Sequence, residues 1–242
     1  MPIGDGQNPL LKVGALGAGY GGMLMLRDIS LEVRRAEIVA LVGGNGAGKT
    51  TLLRALSRVI ASTGSIEFDG RDLVPMTPDE AFGAGLVQVP EGRQLFDRMS
   101  VEDNLRMGAY RRGDQAAVSR DLDRMYAIFP RLSDRRQQIA GSMSGGEQQM
   151  CAMARGLMAA PKLLMIDEMS LGLAPVVVEQ LMDVLAAIRG EGVAILLVEQ
   201  DVHLALSACD RGYVLEAGQI VREGMAKELA DDPAVRRAYL GI

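Results

Sequence analysis

Four short, mainly apolar runs punctuate the chain, at residues 38–42, 86–89, 163–166 and 194–198. Each is too short for a stable helix and too uniformly apolar for a half-exposed strand. The pattern predicts strands buried on both faces, as in a parallel sheet. Between them the period changes. Leu122, Met125, Ile128 and Phe129 recur at helical spacing within 115–129, residues 51–57 read as the first turns of a helix, and 176–189 reads as a helix stopped by Gly190. Alternation of the two patterns predicts a βα-alternating core. The start of the chain differs. Short strands with glycine turns at 10–13, 23–26 and 30–33, and another at 65–68 closed by Asp69-Gly70, predict a small antiparallel sheet.

From Pro90 to Ala160 no strand pattern appears. Ser100 opens one helix, and Ser144 opens another that ends before Pro161, with Glu147 at capping-box spacing. The expected fold class is therefore α/β, with a mostly parallel core sheet, an N-terminal antiparallel β subdomain and an inserted α-helical subdomain. The expected boundaries within one 242-residue domain are 1–90 and 156–242 for the core with the antiparallel part, and 91–155 for the helical subdomain. No internal repeat or low-complexity segment is found.

Composition narrows this picture by exclusion. A net charge of −5 supplies no electrostatic footprint for nucleic acid, so no nucleic-acid partner is expected. The pairs Arg111-Arg112 and Arg135-Arg136 read as solvated surface. Cys151 and Cys209 lack metal spacing and read as reduced core thiols of a cytosolic protein. The apolar runs fall short of a membrane span, and the first residues lack the basic and apolar regions of a signal peptide. Any membrane role is expected to come through a partner.

Candidate chemistry begins where the first buried run ends. Gly43-Gly44-Asn45-Gly46-Ala47-Gly48-Lys49-Thr50 fits G-x-x-x-x-G-K-[ST], with a strand before it and a helix after it. Glycines let successive N–H groups point at phosphate oxygens, and the helix N-terminus adds partial positive charge. Gly43, Asn45, Gly46, Ala47, Gly48 and Thr51 are candidate nucleotide contacts. Lys49 is placed to reach β- and γ-phosphates, and Thr50 to offer its hydroxyl to Mg²⁺. The run at 163–166 ends in Asp167-Glu168, delivered to the sheet edge where such folds bind ligands. Asp167 suits the Mg²⁺ shell, and Glu168 suits polarising a water. Gln88, at the end of another core strand, is a candidate for Mg²⁺ or the water. A plain polar residue at a strand end is the competing reading. Ser144-Gly145-Gly146-Glu147 is a second anion-binding design without a lysine or a metal ligand, which points to completing the site of another chain, or simply to a well-capped helix.

Together these residues resemble the ATP-binding cassette (ABC) family, whose L-S-G-G-x-Q signature appears as Met143-Ser144-Gly145-Gly146-Glu147-Gln148. The resemblance runs from about Leu10 to Ile220 and implies a P-loop NTPase core that uses ATP and Mg²⁺. It implies a head-to-tail pair of cassettes, each ATP lying between one phosphate loop and the partner's Ser144, Gly145, Gly146 and Glu147. It also implies adenine stacking on Tyr20, and places 170–173 in the loop linking the two sites.

A narrower likeness rests on Val89-Pro90-Glu91-Gly92-Arg93, the stretch Ser170–Pro175, Val198-Glu199-Gln200 and the stretch Arg211–Glu216. These resemble the LivF-type ATPase of branched-chain amino-acid importers. That resemblance implies a LivG-type companion cassette, permease subunits, a periplasmic solute-binding protein, and a place at the cytoplasmic face of the membrane. Cassettes of urea and amide importers share much of it, and a non-transport ABC ATPase is the broader rival. A P-loop kinase would not need the signature. Three positions depart from the family pattern. Gln200 stands where most cassettes have a γ-phosphate histidine, which makes it a catalytic candidate, while His203 reads as helix surface. Met169 replaces a proline, a loss of φ restraint expected to loosen the loop. Met143 replaces the first leucine of the signature.

Overall fold

The computed structural model describes residues 8–237. In chain order its principal elements are β1 (Leu11–Tyr20), β2 (Met23–Val33), β3 (Ile38–Val42), α1 (Lys49–Leu56), β4 (Ser62–Phe68), β5 (Arg71–Asp72), α2 (Pro78–Gly83), β6 (Leu86–Val89), α3 (Val101–Gly108), α4 (Gln115–Ile128) and α5 (Pro130–Ser133). There follow α6 (Gly145–Leu157), β7 (Leu163–Asp167), α7 (Pro175–Gly190), β8 (Ala194–Glu199), α8 (Val202–Ala208), β9 (Arg211–Glu216), β10 (Gln219–Met225) and α9 (Ala226–Asp231).

The first strands form an antiparallel sheet in the order β2-β1-β4-β5. The strands expected separately at 23–26 and 30–33 are one strand. Asp28 takes a left-handed φ of 53°, and the pairing with β1 carries irregularities on either side of Leu16. Bulges of this kind absorb an extra residue without ending a strand, so polar Arg27-Asp28 bends the chain where the sequence reads as a turn. The strand expected at 10–13 likewise continues to Tyr20.

The second sheet has the order β10-β9-β3-β8-β7-β6, parallel from β9 to β6 and closed by antiparallel β10. Its four expected strands are present. β9, which lies parallel to β3, was not foreseen, because Arg211 and Gly212 interrupt its apolar pattern. Side chains alternate between the two faces of the sheet. Val39, Leu41, Met165 and Leu196 pack on the α1 side with the antiparallel sheet. Leu164, Ile166, Ile195 and Leu197 pack on the opposite side with residues of α6 and α7. Burial on both faces accounts for the continuous apolar runs. Between β6 and β7 the described chain is helical, with one isolated bridge at Ser100 and Ile139. α3 crosses α6 closely at Gly108, where a Cβ would stand 1.9 Å from the Arg155 carbonyl oxygen.

The four paired arginines lie on the surface, as expected, and are also engaged. Arg111 pairs with Asp79, Arg112 with Asp121 and Arg135 with Glu147, while Arg136 lies 4.0 Å from the Tyr126 ring centroid. Both cysteines are free thiols, Cys151 buried and Cys209 half-buried. Among the described residues no helix is long and apolar enough to cross a membrane.

Candidate functional site

Strand register assembles the site. β3 and β8 pair Val42 with Glu199, and β7 and β8 pair Asp167 with Val198. The three strands therefore end side by side, and the loops that leave them share one edge. The loop after β3 curls through Gly46 and Gly48, the latter at φ 111°, which a side-chain-bearing residue rarely adopts. Gly48 is the N-cap of α1, so Lys49 and Thr50 open the helix. A cavity of about 360 Å³ lies over this turn, walled by Gly44 to Thr51 together with Glu168 and Gln200.

Lys49 is 6% exposed. Its Nζ donates to the carbonyl of Gly43 at 2.7 Å and to that of Gly44 at 3.3 Å, and pairs with Glu168 Oε1 at 3.1 Å. Glu168 follows β7 with a left-handed φ of 50°. Its N–H donates to the Val198 carbonyl at 2.9 Å, and its Oε2 accepts from the Gln200 N–H at 3.2 Å. Asp167 is buried, with neither carboxylate oxygen holding a partner. Burial pushes its pKa up to about 6, and Glu168 and Glu91 add to the rise. The Thr50 hydroxyl and Lys49 work against it. A buried carboxylate without a partner is costly. An oxygen-preferring cation such as Mg²⁺ fits this donor set of Asp167 and Thr50.

The other candidates lie elsewhere. Gln88 does not line the cavity, and its Oε1 accepts from Ser57 Oγ at 2.8 Å, at the end of α1. Tyr20 also stands outside the cavity wall, 42% exposed, its hydroxyl accepting from Arg54. Met25 of β2 is among the residues that do line the cavity. Ser144 caps α6 in a capping box with Glu147, and Glu147 also pairs with Arg135 at 2.8 Å. Hydrogen bonding from Ser144, with Arg135 adding to it, holds the Glu147 carboxyl below its ordinary pKa. Residues 144–147 line no part of the phosphate-loop cavity. His203 is exposed on α8, and Met169 is fully buried. The buried Met169 side chain packs into the core where the family usually has proline.

Sequence reasoning missed Met25, Glu91 and Leu171 on the cavity wall, and the buried carboxylate of Glu199. Glu199 had a visible signal, a carboxylate closing an otherwise apolar run. Glu91 and Leu171 lie in the stretches that carry the narrower likeness, although no cavity role is read from them, whereas Met25 carried no signal, because tertiary register brings it in.

The model of the ABC transporter family matches residues 26–170. The high-affinity branched-chain amino acid transport ATP-binding protein BraG of Pseudomonas aeruginosa is 46% identical over 223 residues, covering 92% of this chain and 95% of its own. The lipopolysaccharide export system ATP-binding protein LptB of Escherichia coli is 31% identical, covering 93% and 95%. A solved ATP-binding subunit of an ABC transporter superposes with a TM-score of 0.83 at 29% identity, covering 96% of each chain.

Proposed function

The chain belongs to the ABC transporter family of ATP-hydrolysing cassettes, and from that premise we propose that it is the LivF-type subunit of a branched-chain amino-acid importer. The observation that carries the ATPase site is the convergence of Lys49, Glu168 and Gln200 on the cavity formed by the phosphate loop. The narrower cargo reading is supported by the likeness to BraG and by the motifs around Glu91, Ser170 and Gln200. LptB, named for the export of lipopolysaccharide, supports the cassette chemistry alone.

In this reading Lys49 turns from Glu168 to the β- and γ-phosphates, helped by the inward N–H groups of Gly43, Asn45, Gly46, Ala47, Gly48 and Thr51. Thr50 and Asp167, joined by Gln88 if it leaves Ser57, would hold Mg²⁺, which would screen phosphate charge. Glu168, released from Lys49, orients and polarises the attacking water. Gln200 hydrogen-bonds the γ-phosphate or the water without adding charge. Tyr20 stacks on adenine.

Ser144, Gly145, Gly146 and Glu147 face the ATP of a second cassette, a LivG-type chain in the assembled transporter. Closure of the pair and its reopening after hydrolysis pass through the helical subdomain, 91–155, to permease subunits. A periplasmic solute-binding protein delivers the amino acid, and this chain works at the cytoplasmic face. The test is co-purification with a permease, followed by ATP-driven uptake of labelled leucine into vesicles holding the assembled complex. Uptake is expected to stop with Lys49→Ala. ATP hydrolysis without leucine uptake at any solute-binding protein supplied would refute the cargo.

A further inference from the structure

Glu199 is a fully buried carboxylate that none of the roles above uses. It closes β8 beside Gln200. Its Oε1 accepts from the Ser170 N–H at 3.0 Å, and its Oε2 accepts from Ser170 Oγ at 2.8 Å. Ser170 lies two residues beyond Glu168, in the loop that carries the chain away from β7. Three consecutive residues, the last two of β8 and the one after it, thus grip two residues after β7, Glu168 and Ser170. Val198 takes the Glu168 N–H, Glu199 takes both donors of Ser170, and Gln200 gives its N–H to the Glu168 carboxylate.

Between the two outer grips the Glu168 backbone is left-handed, at φ 50°. A glutamate holds that conformation only where its surroundings over-determine it. Hydrogen bonds on both sides of the residue do so here, and Met169 between them is sealed in the core. Releasing Ser170 would free the backbone to relax toward an ordinary φ, which would swing the Glu168 side chain off its line.

We propose that Glu199 is a positioning residue for ATP hydrolysis: its carboxylate fixes Ser170, and through Ser170 the left-handed backbone that aims Glu168. This rests on the reading of Glu168 as the catalytic carboxylate. A buried glutamate serving the fold alone would make the same two bonds, so the test separates rate from binding and from stability.

Purified chain is assayed for ATPase kcat, for affinity toward a fluorescent non-hydrolysable ATP analogue, and for thermal unfolding. Glu199→Ala is expected to lower kcat about tenfold to a hundredfold, as a small misplacement of a catalytic group does, with analogue affinity changed less than about threefold. Glu199→Gln keeps an acceptor for the Ser170 N–H and offers its amide to Ser170 Oγ, so it is expected to stay within about threefold of the parent rate. Ser170→Ala removes one of the two bonds without touching the buried seat. It is expected to lower kcat by about threefold to tenfold at unchanged affinity and unchanged unfolding temperature.

If Glu199→Ala does not fold, Ser170→Ala decides alone. Parent kcat in Ser170→Ala overturns the proposal, and so does a fall in affinity and stability that matches the fall in kcat. Glu168→Gln is measured alongside. Parent-rate hydrolysis there would refute the catalytic reading of Glu168, whereas a stalled Glu168→Gln beside a parent-rate Ser170→Ala refutes only the role of Glu199.

Discussion

Gln200 and His203 are three positions apart and have different surroundings. Gln200 lies on the cavity wall just past β8, while His203 projects into solvent from α8. Gln200→Ala should therefore reduce ATP turnover roughly tenfold, the worth of one well-placed hydrogen bond, with less effect on nucleotide affinity. His203→Ala should leave both unchanged, and the turnover of the two variants measured against pH checks the assignment. Glu199 makes a different pH statement. Burial, reinforced by Glu168 and Asp201, lifts its pKa to about 7 from an ordinary 4.5, against the pull of Ser170. Between those values the folded chain holds a proton that the unfolded chain has lost. Its contribution to stability must then fall as pH rises through that window. Thermal unfolding of the parent and Glu199→Gln from about pH 5 to 8 should show the parent losing ground steadily to the variant. Parallel curves would contradict the raised pKa.

Helix α6 is set in place by its crossing with α3, and Gly108 allows the approach. An added Cβ would meet the carbonyl oxygen of Arg155, main chain that cannot swing aside. Gly108→Ala should cost about 2–3 kcal/mol in denaturant unfolding. Because α6 begins at the Ser144 cap, the same change should disturb any function of residues 144–147. An unchanged unfolding midpoint would show that the two helices separate without penalty. Elements buried on both faces were the legible ones. Residues 38–42 and 163–166 announce themselves because no position there needs to be polar. The bulged strand through Asp28 was not legible, since its pairing with β1 compensates for residues that locally favour a turn. Nor was β9, whose Arg211 is satisfied by Glu37 across the fold at 2.7 Å. The same division holds at the candidate site. The phosphate loop and Asp167-Glu168 are contiguous motifs, and a single chain segment states them. The bond from Glu199 to Ser170 joins segments 29 positions apart, and only the pairing of Val42 with Glu199 and of Asp167 with Val198 brings them together.

For the molecule as a whole, the capped α6 terminus at Ser144 lies outside the phosphate-loop cavity of its own chain. If that terminus completes a neighbour's site, ATP should drive association. In isolation, without the LivG-type chain, Glu168→Gln with Mg-ATP should sediment as a homodimer, and the parent should return to monomer as ATP is consumed. A variant that stays monomeric at saturating ATP would show that this chain does not pair with a copy of itself.

The contact between Lys49 and Glu168 also has a kinetic meaning. Lys49 and Glu168 occupy each other, so on the proposed reading of the site a triphosphate competes with an internal anion for the same ammonium, and Glu168 reaches a water only once phosphate has displaced it. Competition of this kind weakens the apparent affinity for nucleotide. Glu168→Gln, tested with a non-hydrolysable analogue so that stalled chemistry plays no part, should bind more tightly than the parent. The gain should be about threefold to tenfold, and because both side chains are nearly buried it should change little as salt is raised.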